Sequence, residues 1–406
     1  MEDASTRLAL ESGSIGLSRA RSLTVLGPAQ WMPHLSDFLL LRVLDLEDAE
    51  SLENRDLEDI GRLFNLKYLG LGGELVTSLP ESIGDLQSLE TLEMRRTEVR
   101  KLPQAASGLK KLVRILAQNL DDIPGGVEEM QHLQKVTMLS VNSRRSLNLV
   151  AELAILGQLR SLGVKWCFHD DLGSGIEDIR NDFVSSVNKA SEYNITSLSI
   201  HSNEACSLSF LAESWVPPYL LQKLVMIPSI SSDLPRIPEK IASCRGITYL
   251  EIAVNLDRDN DILIIADLPA LTILKLYATG KPITIKQGFG CLEVFSFQRL
   301  EDELGLTFEE GAMPLLRKLR LRFKLLSEQQ KAGFHCGLPC LSSLQRVIAT
   351  IDCNGAKVSD VVSVEDAIKE EIHAHKKHPM IELGRENEEN MIKDGGQRIK
   401  MHEGSN

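Results

Sequence analysis

Three observations predict an α/β solenoid of stacked short strands. Triplets spaced L-x-x-L-x-L recur, first as Leu66, Leu69 and Leu71, then as Leu89, Leu92 and Met94. The punctuation between them recurs too. Leu79-Pro80 is answered by Leu102-Pro103 and Leu86 by Leu109, a period of 23 residues. That period lies in the range of a leucine-rich repeat, in which one short strand and one return segment make a unit. The architecture expected is a curved horseshoe, with parallel strands on its concave face and irregular loops and short helices on its convex face.

Residues 1–18 are polar, carry Gly13, Ser14 and Gly16, and read as a linker or disordered segment. The repeat domain is expected over residues 19–383. It opens with a weak triplet, Ala20, Leu23 and Val25, followed by Leu41-Arg42-Val43-Leu44-Asp45-Leu46. Triplets beginning at Leu66, Leu89, Leu112, Leu133, Leu159, Ile195, Leu221, Ile247, Leu271, Leu292, Leu316 and Leu344 bring the count to fourteen. Most spacings run from 21 to 28 residues; Leu162 to Leu198 is 36. In that insertion Ile176, Ile179, Phe183, Val184 and Val187 follow the i, i+3, i+7, i+8, i+11 pattern of an amphipathic helix. Each strand turns alternate side chains inward, and proline in Leu-Pro fixes the return. One repeat cannot bury its own leucines, so stability comes from its neighbours and the ends need caps. A capping helix is expected near 363–376, with Ser363 as N-cap and Val364, Ala367, Ile368 and Ile372 on one face, stopped by Pro379. The first repeat shows no comparable cap, which suits an edge covered by another domain. Residues 384–406, poor in apolar side chains, are expected to be a disordered tail.

The 406 residues carry 43% hydrophobic side chains and a net charge of −12. That balance argues against nucleic acid as the main partner, since a backbone-binding face needs a concentrated basic patch. Seven scattered cysteines form no paired framework, which suits reduced thiols in the cytosol. No signal peptide and no membrane span is present. No P-loop, H-E-x-x-H or G-x-S-x-G occurs, so no cofactor and no enzymatic role is expected. Gly70-Leu71-Gly72-Gly73 reads as small residues on a strand. The HAHKKH run at His373, His375 and His378 reads as a solvated helix end, because its imidazoles point in different directions. Cys336 and Cys340 read as structural thiols of a loop.

Binding residues are expected instead on the exposed positions of the strands. These are Asp45, Glu47, Glu93 and Arg95 near the first end, and Lys165, His201, Glu251, Lys275 and Tyr277 in the middle. Gln298, Lys318, Arg320 and Arg322 lie near the last. The first end is acidic and the last is basic, and Arg and Tyr on a rigid surface make good interface residues.

With its repeats laid out, the chain resembles the leucine-rich-repeat region of plant nucleotide-binding disease-resistance proteins, most of all the coiled-coil class from grasses. The marks are Arg21-Ser22-Leu23, Leu41-Arg42-Val43-Leu44-Asp45-Leu46, Leu66-Lys67-Tyr68-Leu69, Leu79-Pro80-Glu81-Ser82-Ile83-Gly84 and Leu89-Glu90-Thr91-Leu92, then Val364-Glu365-Asp366-Ala367-Ile368 through His378-Pro379. The resemblance implies an intracellular module whose partners are a pathogen effector or a guarded host protein. It also implies a nucleotide-binding domain of the same receptor, in cis or in trans, that the repeats hold inactive. The chain departs from the family in having neither a P-loop nor a coiled-coil domain, as expected of a fragment or a truncated product. A freestanding scaffold or adaptor, binding a GTPase or a ligase subunit, is the alternative.

Overall fold

The computed structural model describes residues 17–27, 34–49, 51–124, 127–169, 175–190, 194–204, 206–229, 234–258, 261–302, 304–325 and 335–392. Most of the predicted linker (1–16) and of the predicted tail (393–406) lies outside these. The chain divides into two compact units, Met1–Cys206 and Ser207–Asn406.

The amino-terminal unit carries eight strands: β1 (Ser22–Gly27), β2 (Val43–Ala49), β3 (Tyr68–Gly73), β4 (Thr91–Thr97), β5 (Arg114–Leu120), β6 (Lys135–Val141), β7 (Ser161–Trp166) and β8 (Ser197–Ser202). Each pairs in parallel with the next. The register aligns the second residue of every triplet, from Leu23 through Leu44, Leu69, Leu92, Ile115, Val136 and Leu162 to Leu198. From Leu44 onward these side chains are at most 1% exposed. Leu23 and Val25 on β1 are only half-buried. The returns are mostly single 3-10 turns. Pro80 and Pro103 stand immediately before two of them, with φ of −71° and −68°, the value the pyrrolidine ring imposes.

Two helices interrupt this pattern. α1 (Arg144–Ala154) was not foreseen. Its signal is the Ser143/Ser146 capping box, with Ser143 Oγ accepting from Ser146 N–H (3.2 Å) and Ser146 Oγ from Ser143 N–H (3.1 Å). α2 (Ile176–Ala190) is the expected amphipathic insertion. It buries Ile176, Phe183, Val184 and Val187, and the Phe183 ring lies 5.0 Å from that of Trp166 at the end of β7.

The carboxy-terminal unit follows the same scheme. β9 (Lys223–Ile227), β10 (Tyr249–Leu256), β11 (Ile273–Gly280), β13 (Val294–Asp302), β15 (Lys318–Lys324), β16 (Arg346–Asp352) and β17 (Met380–Glu386) pair in that order, all parallel. β12 (Ile283–Ile285) and β14 (Leu306–Phe308) form a separate parallel pair in the returns. Short helices α3 (Leu211–Ser214) and α4 (Leu263–Ala266) and the long α5 (Val358–Ala374) complete it.

The end of the repeat domain corrects the expectation. α5 begins at Val358, not at Ser363, which is exposed in mid-helix. Its first N–H is satisfied by Ile392 C=O (3.2 Å), while Ile392 N–H donates to Ala356 C=O (2.8 Å). The predicted tail therefore supplies the cap, and residues 384–392 are structured. Nor does α5 end the stack, because it leads into β17. That strand escaped notice because the register, Val347 to Ile381, puts His378 where the triplet needs its first leucine. Two buried carboxylates fix this end. Glu365 takes a two-pronged bond from Arg385 (2.6 and 2.8 Å). Glu371, 7% exposed, accepts the Cys336 and Leu338 N–H groups, both at 2.7 Å.

Glu371→Ala leaves both buried donors unsatisfied, at about 1–3 kcal/mol each. Urea unfolding is expected to show a loss of about 2–6 kcal/mol. A loss under about 1 kcal/mol would mean that water replaces the carboxylate.

Candidate protein-binding face

Side chains that alternate with the inward leucines stand on the opposite face of each sheet. In the amino-terminal unit this face is acidic from β2 to β4, and its carboxylates are engaged by local donors. Asp45, half-buried, accepts the Glu47 N–H (3.2 Å), and Glu47 accepts the Tyr68 hydroxyl (2.5 Å). Two glycines make room for this. A Cβ on Gly70 would stand 3.0 Å from the Tyr68 ring, and one on Gly72 only 2.0 Å from the Glu47 carbonyl oxygen. Burial, then the Glu47 bond, raises the Tyr68 pKa well above its ordinary value.

Glu93 was expected on the exposed face and is instead 2% exposed. Arg95 folds back over it, donating from Nε to Oε1 (2.9 Å) and from Nη2 to Oε2 (2.6 Å), while Tyr68 lies over side-chain-free Gly70 alongside. Arg95 is exposed but committed to this bond. Lys165 donates to Asn119 Oδ1 (3.2 Å), and His201 is half-buried on β8.

In the carboxy-terminal unit three predicted residues converge. Glu251 accepts from Lys275 Nζ (3.2 Å), from the Tyr277 hydroxyl (3.2 Å) and from the Tyr249 hydroxyl. Lys223 and Lys275 stand over the Tyr249 ring, 4.7 and 5.6 Å from its centroid, within cation–π range. Burial opposes ionisation of Glu251, but the Tyr249 hydroxyl and Lys275 outweigh it, and its pKa falls. Burial and the Glu251 hydrogen bond push the Tyr249 pKa up; burial and the Glu251 charge do the same at Tyr277. Tyr249 and Lys223 were missed. They occupy the position just before the second leucine, where Tyr68 also sits. The signal was an aromatic side chain at that place in Ile247-Thr248-Tyr249-Leu250.

On β15 the predicted basic residues divide. Arg322 is held by Glu386 (3.0 and 2.6 Å), with Gln298 Oε1 3.4 Å away. Lys318 is half-buried and Arg320 exposed, and among the described residues neither side chain has a hydrogen-bond or ion-pair partner. In register, Arg320 lies between Ser296 and Ile348, and Lys318 between Val294 and Arg346. Val294 and Ile348 are half-buried, so a pair of free cations stands among apolar side chains.

Among the described residues, no group of three or more His, Cys, Asp or Glu is placed to hold a metal, and no helix is long and apolar enough to cross a membrane. None of the seven cysteines is in a disulfide, and burial pushes the Cys336 thiol well above its ordinary pKa. One of the histidines read as solvated is not. His375 is 2% exposed, its Nδ1 accepts the Lys377 N–H (3.0 Å), and its Nε2 donates to Leu341 C=O (2.9 Å).

The leucine-rich repeat region family matches residues 19–381. Disease resistance protein RGA5 of Oryza sativa subsp. japonica is 32% identical over 91% of this chain and 34% of its own length. Disease resistance protein RGA4 of the same organism is 28% identical over 88% of this chain and 38% of its own. The chain thus spans little more than a third of the length of these curated relatives. Among solved structures, a leucine-rich-repeat protein of Leptospira interrogans is 19% identical, with a TM-score of 0.50 over 95% of this chain and 91% of that one. That likeness is one of fold.

The Glu251 cluster ties stability to pH at both ends. A lowered carboxyl pKa gives stability that is whole above the unfolded value, about 4.3, and lost as pH falls through the folded one. Raised tyrosine pKa values give stability that is whole below about 10 and lost as pH rises through the folded values. In an ultraviolet phenolate titration, Glu251→Gln is expected to bring Tyr249 and Tyr277 back toward the ordinary value. An unchanged curve would show that Glu251 does not hold them.

Proposed function

The chain belongs to the leucine-rich repeat region family, and on that premise we propose that it is the recognition and autoinhibitory part of an intracellular plant immune receptor. Its exposed strand face meets a pathogen effector or a guarded host protein. The same repeats hold the receptor's nucleotide-binding domain inactive until that contact is made. The similarity to rice disease resistance proteins supports the defence setting. Seven cysteines without a disulfide support a reducing compartment.

One observation carries the binding half of this reading. Lys318 and Arg320 present unspent positive charge beside half-buried Val294 and Ile348. The pre-assembled Tyr249, Lys275 and Tyr277 cluster lies on the same sheet face. A rigid apolar patch with aromatic and cationic anchors is what a protein hot spot requires. The autoinhibitory half draws on the first unit, where Leu26, Leu39 and Phe64 are 73%, 63% and 64% exposed. Exposed apolar residues of that size suit contact with a neighbouring domain.

Charge reversal tests the binding half. Lys318→Glu with Arg320→Glu spares Arg322, which holds Glu386. In a two-hybrid and titration series against candidate effectors and host proteins, the double variant is expected to weaken the cognate partner at least tenfold, about 1.4 kcal/mol. Undiminished binding would overturn the assignment of this strand. Co-expression with a nucleotide-binding domain of a receptor of this class is expected to give a complex that melts higher than the chain alone. A stable chain that forms no such complex would favour the freestanding adaptor.

A further inference from the structure

The returns of the carboxy-terminal unit hold a groove that the strand face does not use. Two adjoining cavities of ≈ 240 and ≈ 320 Å³ share Ile262, Thr284 and Lys286. One wall is β12; the other is the segment from Ile262 to Ala266 in the preceding repeat. Two backbone hydrogen bonds bracket the groove, Lys281 N–H to Leu256 C=O (3.2 Å) and Phe289 N–H to Ala266 C=O (2.7 Å). Between these points the two segments are not hydrogen-bonded, among the described residues.

There β12 is an edge strand. Ile283 N–H donates to Gly305 C=O (2.7 Å), and Ile285 C=O accepts from Glu309 N–H (2.9 Å), so both residues turn their backbone toward β14. In a parallel ladder the intervening residue points its backbone groups to the other edge. For Thr284 that edge is the groove, and no described residue bonds its N–H or C=O there. Buried Ile285 and Phe289 line the groove with apolar surface. Arg258, Lys281 and Lys286 supply its charge, and among the described residues no carboxylate lines it. In a chain of net charge −12 this is a local inversion of sign. Lys286 meets Glu309 outside the groove (3.3 Å), and both are largely exposed.

We propose that this edge takes up an extended acidic segment of a protein partner as an added strand. The segment's backbone pairs with Thr284, its apolar side chains enter the floor at Ile285 and Phe289, and its carboxylates meet Arg258 and Lys286. Main-chain pairing supplies affinity and the alternate side chains supply selectivity. The groove is separate from the exposed strand face and does not depend on the function proposed for that face.

The probe is a fluorescein-labelled synthetic peptide that alternates valine and glutamate, titrated against the full chain by anisotropy. A second peptide carries lysine for every glutamate, and a third is N-methylated on alternate backbone amides. The glutamate peptide is expected to bind, the other two at least about tenfold more weakly. Lys286→Glu is expected to weaken the glutamate peptide by a similar factor, whereas Lys318→Glu with Arg320→Glu leaves it unchanged. No binding of the glutamate peptide, or equal binding of all three, overturns the proposal. Should Lys286→Glu fail to fold, the N-methylated peptide decides, since it leaves the protein untouched.

Discussion

The structure depends on one contact, repeated: the side chain at the second position of each triplet meets its counterpart on the next strand. Leu44, Leu69, Leu92, Ile115, Val136, Leu162 and Leu198 form one such column, and Leu224, Leu250, Leu274, Phe295, Leu319 and Val347 another. A buried side chain of this size stabilises the fold by about 1.5–3 kcal/mol, but only when neighbours on both sides exclude water. A repeat alone gains little of that. The column therefore fixes strand register, and register fixes which residues stand side by side on the outer face. Lys318 and Arg320 share a surface with Val294 and Ile348 because the inward residues of the same strands are locked in step.

On the outer faces of the two units, charge is handled differently. From β2 to β4 the carboxylates are engaged locally, Glu93 in an ion pair with Arg95 and Glu47 in a hydrogen bond from the neutral Tyr68 hydroxyl. Such groups are pre-paired and would have to be pulled apart before meeting anything else. On β15 the cations at 318 and 320 have no such engagement, and they sit where desolvation by a partner would strengthen any new ion pair. The acidic and basic groups read from the exposed strand positions are thus unequal in availability, although similar in charge count.

Much of this was legible in the sequence, for a physical reason. The triplets report inward alternation directly, so fourteen of the paired strands could be placed, and the apolar spacing at Ile176, Phe183 and Val187 gave α2 almost to the residue. What failed depended on distant partners. β17 lacks a leucine at His378 and is held by its register with β16 and by Arg385 reaching Glu365. The start of α5 is set by Ile392, beyond the last repeat that had been counted. α1 hid inside an ordinary 26-residue spacing from Val136 to Leu162. Burial of Glu93 and His375 needed knowledge of what folds over them. Among the binding candidates the alternation found Glu251, Lys275 and Tyr277. It passed over Tyr249, because that residue lies outside the part of the triplet taken to be exposed.

The bond between Ile392 and the start of α5 has a further consequence. In a stack whose repeats touch only their neighbours, the last member ordinarily frays, one strand at a time. Here the chain beyond β17 returns to the other side of the final repeat and closes a loop from Ala356 to Ile392. Peeling β17 away must therefore also release the helix start. The terminal repeat opens as one cooperative piece or not at all, so the end of the stack acts as a latch.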